Sequence, residues 1–172
     1  MSKRSGNFNR MHAAGLLVAL LLIVSPLFLQ FTDNDDFPDV FMDMQLVIKS
    51  SGDAAIIDVQ TLHSTQNIAL DNAYILKYKD PQGKTATFWI SESSSKTDAT
   101  LLLDDMNRKI PASKVFTLPV EMDIEGTMVY YTEGIGEFHY YYAKSNRVYW
   151  IALSEKDEGV RMDAVGVSLE SM

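Results

Sequence analysis

The sequence predicts an α+β domain, a largely antiparallel sheet with helices on one face, preceded by a single N-terminal transmembrane helix. Three observations lead there. An uncharged apolar run, "AAGLLVALLLIVSPLFLQF", fills Ala13 to Phe31. Beyond it, stretches of alternating β-branched and aromatic residues recur with short turn signals between them, as in "NAYILKYKD", "KTATFWISE" and "NRVYWIALS". Two segments, one starting at Ser95 and one at Ser154, have a helical apolar period and one apolar stripe each, the pattern of a helix laid on a sheet.

Composition narrows the function classes. A chain of 172 residues that is 47% hydrophobic can bury one compact core with a modest appendage. Its 15 Lys and Arg stand against 23 Asp and Glu, for a net charge of -8. Lys3, Arg4 and Arg10 all precede the apolar run and no acid does, so the rest of the chain is more acidic than the total suggests. Such a surface repels a phosphate backbone, and nucleic acid is excluded as an expected partner. The absence of Cys excludes disulfides, thiolate metal sites, a Cys nucleophile and a lipidated N-terminal Cys.

The apolar run has the length of a bilayer span, about 28 Å at helical rise. A basic start followed by "AAGLLVALLLIV" also fits a secretory signal, but Pro26, Leu27, Phe28, Leu29 and Phe31 stand where cleavage needs small residues. An uncleaved anchor is the better reading. Basic residues before it and Asp33, Asp35, Asp36 and Asp39 after it place the N-terminus in the cytoplasm by the positive-inside rule. The expected order is a basic cytoplasmic tail over 1–12, an anchor over 13–31, an acidic linker over 32–40 and an extracytoplasmic domain over 41–172. "DNDDFPD" is no calcium loop, because Phe37 or Pro38 stands where an EF-hand needs Gly and Met44 where it needs Glu.

Within the domain, "MQLVIKS" and "AAIIDVQTLH" read as strands, the first with a helical alternative. "NAYILKYKD" and "KTATFWISE" flank "PQG" as a hairpin. The segment "SSKTDATLLLDDMNRKIP" is a helix: Ser95 caps it with Asp98, Ala99, Leu102, Leu103, Met106 and Ile110 share a face, Arg108 and Lys109 suit its C-terminal dipole and Pro111 ends it. "GTMVYYTEG", "GEFHYYYAK" and "NRVYWIALS" form a meander turned at "EGIG" and "KSN". Ser154 with Asp157 repeats the capping pattern before a last helix with Met162, Val165, Leu169 and Met172 on one face. "FWISESSSKTD" and "YWIALSEKD" thus look like one strand-to-helix corner used twice, a weak internal duplication.

Chemistry-bearing residues concentrate in "FHYYYAKSNRVYW". A two-residue turn at Ser145 and Asn146 sets Tyr142 opposite Tyr149, Tyr141 opposite Trp150, Tyr140 opposite Ile151 and His139 opposite Ala152. One face, with Phe138, Tyr140, Tyr142, Tyr149, Ile151 and Leu153, is assigned to the core. His139, Tyr141, Val148 and Trp150 make the other face too aromatic for an uncovered sheet; packing explains it first and a binding surface second. His63, beside Ser64 and near Asp58, is the other candidate binding residue. No GxSxG, HExxH or Gly-rich phosphate loop accompanies either His, so no catalytic residue, metal ligand or cofactor is assigned.

The succession "IALDNAYILKYKD", "ATFWISES", "LLLDDM" and "EFHYYYAKSNRVYWIALS", from Ile68 to Ser154, resembles small membrane-anchored extracytoplasmic proteins of archaea and bacteria that have no assigned activity. The resemblance implies the anchored topology and transfers no catalytic residue. The expected function is a single-pass, membrane-anchored, non-enzymatic interaction or accessory domain with a membrane or cell-surface protein as partner. The alternatives are an anchored hydrolase or metal-dependent enzyme using His63 or His139, and a small-ligand sensor binding on the aromatic face.

Overall fold

The protein, a computed structural model, is described over residues 37–62 and 69–172. The expected anchor, residues 32–36 of the linker and His63 lie outside the described residues. Among the described residues no helix is long and apolar enough to cross a membrane.

Eight strands build one sheet: β1 (Val40–Phe41), β2 (Met44–Ser51), β3 (Asn72–Lys79), β4 (Thr85–Glu92), β5 (Val120–Ile124), β6 (Thr127–Gly134), β7 (Glu137–Lys144) and β8 (Arg147–Leu153). Their spatial order is β1-β2-β3-β4-β8-β7-β6-β5, and every neighbouring pair is antiparallel. Three helices complete the fold: α1 (Gly52–Leu62), α2 (Lys96–Lys109) and α3 (Glu158–Ser171).

Tight turns fix the register of the second half. Glu125, Ile135 and Ser145 each open a two-residue hairpin loop with φ of 54°, 56° and 56°, the left-handed geometry that matches strand twist. The β7–β8 pairs follow the expected register, with Tyr142 opposite Tyr149, Tyr141 opposite Trp150 and His139 opposite Ala152. The first hairpin also forms as read, Asn72 to Glu92.

The helices lie on both faces of the sheet, which corrects the expectation that they share one. α3 covers the face of Tyr140, Tyr142, Tyr149 and Ile151, bringing Ala164, Val165 and Leu169 into the largest core cluster. α2 covers the opposite face, where Ala99, Leu102, Leu103 and Met106 pack with Tyr141 and Val148. α1 lies on that face too, with Ala55 and Val59 against Ala73 and partly buried Ile75 and Trp89. The physical reason is visible in β7 and β8: both faces carry large apolar side chains, so each face needs its own cover.

Four further details differ from the expectation. "AAIIDVQTLH" lies largely in helix α1 rather than a strand, since Ala55 and Val59, four residues apart, meet the sheet together while Gly52, at φ 68°, turns the chain out of β2. Strand β5 pairs along β6 from Val120 to Ile124, where no strand was expected. Asp157 caps α3 by accepting from Val160 N at 3.1 Å, while Ser154 Oγ accepts from Thr85 N at 2.7 Å. The end of the linker belongs to the domain: the Phe37 ring lies 5.0 Å from that of Tyr74, and Tyr78 Oη donates to Pro38 O at 2.9 Å.

At α2 the expected cap holds, Asp98 N donating to Ser95 Oγ at 3.1 Å. The suspected repetition has a counterpart in the sheet. β4 and β8, which carry "FWISE" and "YWIAL", are neighbours, with Trp89 opposite Trp150. The helices that follow them break the symmetry by leaving to opposite faces.

Candidate functional site

The aromatic stretch answers first as packing. Tyr141 is fully buried, His139 is 3% exposed and Trp150 is half-buried. Tyr141 stacks on Trp150 at 4.9 Å and on Tyr130 at 5.2 Å, and its hydroxyl donates to Asn107 Oδ1 of α2 at 2.8 Å. Phe116, from the connection after α2, sets its ring edge-on to His139 at 5.1 Å and near Trp150 at 5.4 Å. The face that a ligand or partner would need is thus covered by α2 and Phe116.

Both His139 ring nitrogens are engaged inside this packing. Trp150 Nε1–H donates to Nδ1 at 3.0 Å, which leaves Nε2 to carry the proton and donate to Gly134 O at 2.9 Å. Burial lowers its pKa below the ordinary 6.5, against a smaller opposing effect of the Gly134 carbonyl and Glu137. A neutral imidazole with both nitrogens used ties β7 to β6 through Gly134 and to β8 through Trp150. No three His, Asp or Glu side chains converge as a metal site among the described residues.

A second region, which sequence reading passed over, has the open space that the aromatic face lacks. A cavity of about 230 Å³ lies between the β1–β2 turn, the β3–β4 turn and the first turns of α3. Met42, Met44, Leu153, Val160 and Ala164 give it an apolar wall; Asp43, Asp80, Lys84, Thr85, Glu155 and Arg161 give it a polar one.

Arg161 is only 5% exposed. Its Nε donates to Tyr140 Oη at 3.0 Å, its Nη1 to the carbonyls of Glu155 at 3.2 Å and Lys156 at 2.6 Å, and its guanidinium lies 3.8 Å over the Phe138 ring. No described carboxylate forms an ion pair with it. Asp80, 7% exposed, accepts from Lys84 N through Oδ1 at 2.7 Å, which closes the β3–β4 turn. Lys84 Nζ pairs with Glu155. The Glu155 carboxyl is lowered to about 2, chiefly by the Asp157 backbone N–H and then by Lys84. These residues come from three distant parts of the chain, so no local motif announces them. The one sequence signal is Arg161 itself, set on the same helical stripe as Ala164, Val165 and Ser168.

No protein-family model, curated protein or solved structure matches the chain.

Proposed function

We propose that the chain is a membrane-anchored, extracytoplasmic interaction or accessory domain without catalytic chemistry of its own. The anchor is the apolar run at 13–31, and the acidic domain faces outward. The observation that carries the interaction reading is a set of exposed apolar side chains on the β6–β7 turn and on the connection that runs beside β6. Ile135 is 76% exposed, Leu118 70% and Val115 55%. The connection carrying the last two runs along β6, with Phe116 bridged to Gly134 and Thr117 N donating to Glu133 O at 2.9 Å. Ile135 also holds a φ of 56°, costly for a β-branched residue. An apolar side chain kept outward against both water and its own backbone preference suits a contact surface. The non-catalytic reading is supported by His139, whose nitrogens are both engaged within the sheet.

The absence of Cys makes a labelling test direct, because one introduced thiol is unique. Thr100→Cys places it on an exposed turn of α2. A membrane-impermeant maleimide should label it in intact cells, and labelling only after lysis would refute the outward location. Ile135→Cys should then react more slowly in native membranes than in the purified chain, relative to Thr100→Cys. Equal relative rates would refute the contact surface.

A further inference from the structure

Arg161 and Asp80 are both more than nine-tenths buried, carry opposite charges and line the same cavity, yet they do not pair with each other. Each keeps hydrogen-bonding capacity in hand. Arg161 Nη2 donates to no described residue, since Nε and Nη1 make all of its bonds. Asp80 Oδ2 accepts from none, since only Oδ1 is used. Among the described residues no side-chain nitrogen or oxygen that is itself buried lacks a partner, so the unused Nη2 and Oδ2 are open rather than sealed in, and both belong to residues that line this one cavity.

We infer that this cavity binds a small zwitterion, an amino-acid-sized molecule whose carboxylate meets Arg161 Nη2 and whose ammonium meets Asp80, with a short apolar body against Met42, Met44 and Val160. Size sets the scale of the ligand. At about 230 Å³ the cavity falls below the roughly 300–1,000 Å³ of sites for drug-sized molecules. Charge sets its class. Asp43, Asp80 and Glu155 oppose a phosphate or another polyanion, while Lys84 and Arg161 oppose a divalent cation. A molecule with one charge of each sign satisfies both walls at no net cost in charge. The inference does not depend on the membrane anchor or on the Ile135 surface, because every residue it uses lies within the described domain.

The test uses the full chain in detergent and three probes of one shape: L-leucine with both charges, 4-methylpentanoate with the carboxylate alone, and 3-methylbutylamine with the ammonium alone. Binding is read by ligand-observed NMR titration. L-leucine should bind at least roughly tenfold more tightly than either single-charge probe. Val160→Trp, at a half-exposed helix position on the cavity wall, should abolish that binding without touching the Arg161 hydrogen bonds. Asp80→Asn keeps an acceptor for Lys84 N and removes the charge, so it should bring L-leucine down to the level of 4-methylpentanoate. Circular dichroism on both variants confirms that they fold. No binding of L-leucine, binding of the amine or the acid as tight as that of L-leucine, or binding unchanged by Val160→Trp would each overturn the inference.

Discussion

Replacing Gly134 with Ala would drive a methyl group into the connection that covers the aromatic face. A Cβ there would sit 2.3 Å and 2.7 Å from Phe116 Cδ1 and Cε1, and 2.8 Å from the Val115 carbonyl oxygen. Carbon contacts are favourable only near 3.5–4.0 Å. The ring can rotate away, but the carbonyl belongs to backbone fixed by the Phe116–Gly134 bridge, so the strand and the connection must separate. Forced insertion of this kind costs about 1–3 kcal/mol. If the ring also leaves, His139 and Trp150 lose the neighbour at 5.1 Å and 5.4 Å that shields them. We therefore expect Gly134→Ala to destabilise by about 2 kcal/mol, read by urea unfolding of the full chain in detergent with Trp fluorescence. In a Phe116→Ala background the ring clash is gone, and the same substitution should cost about 1 kcal/mol less, a coupling a double-mutant cycle resolves. A change within about 0.5 kcal/mol of the parent would refute the close approach.

Two further outcomes follow from the buried face. His139 is held neutral in the fold, its pKa lowered from 6.5, so its contribution is complete above that unfolded-state value and is lost as pH falls below it. Stability should drop by up to about 1.4 kcal/mol per pH unit below 6.5 from this group, and His139→Gln should flatten that part of the profile; an unchanged slope would place the titration elsewhere. The double substitution Tyr141→Ser with Trp150→Ser should unfold the domain, since truncating the fully buried Tyr141 costs about 3–5 kcal/mol and losing the half-buried Trp150 ring stacked on it adds to that. A cooperative thermal transition at the parent temperature would contradict the packing of α2 on this face.

Local patterns were legible in the sequence and global placement was not. The β7–β8 register could be read because a two-residue turn leaves only one pairing, and Ser95 with Asp98 announced α2 because capping is chemistry within four residues. The side of the sheet each helix takes was hidden: an apolar stripe says that a helix is covered, but not by which face. The both-sided hydrophobicity of Tyr140, Tyr141, Tyr142, Val148, Tyr149 and Trp150 was the clue that two covers were needed. α1 was obscured by β-branched Ile56, Ile57 and Val59, which favour strands until the four-residue spacing of Ala55 and Val59 is weighed. β5 had a clear alternation, Val120, Met122 and Ile124 against Glu121 and Asp123, next to a Pro119 that masked it. The cavity joins Met42, Asp80 and Arg161, far apart in sequence, and nothing local specifies such a meeting.

The Trp89–Trp150 pairing has a consequence for how the chain is made. β4 meets β8 across some sixty residues of intervening sequence, from Trp89 to Trp150, whereas β3, its other neighbour, is joined to it by the short turn between Lys79 and Thr85. At a synthesis rate of about 5–20 residues per second, roughly 3–12 seconds separate the appearance of the two strands. During that interval the backbone N–H and C=O groups along one border of β4 have no strand to pair with, and such an open border is a template for another copy of the same chain. The native domain closes that border inside its sheet and leaves β1 and β5 as the outer strands, so the hazard at β4 belongs to its nascent and half-made forms.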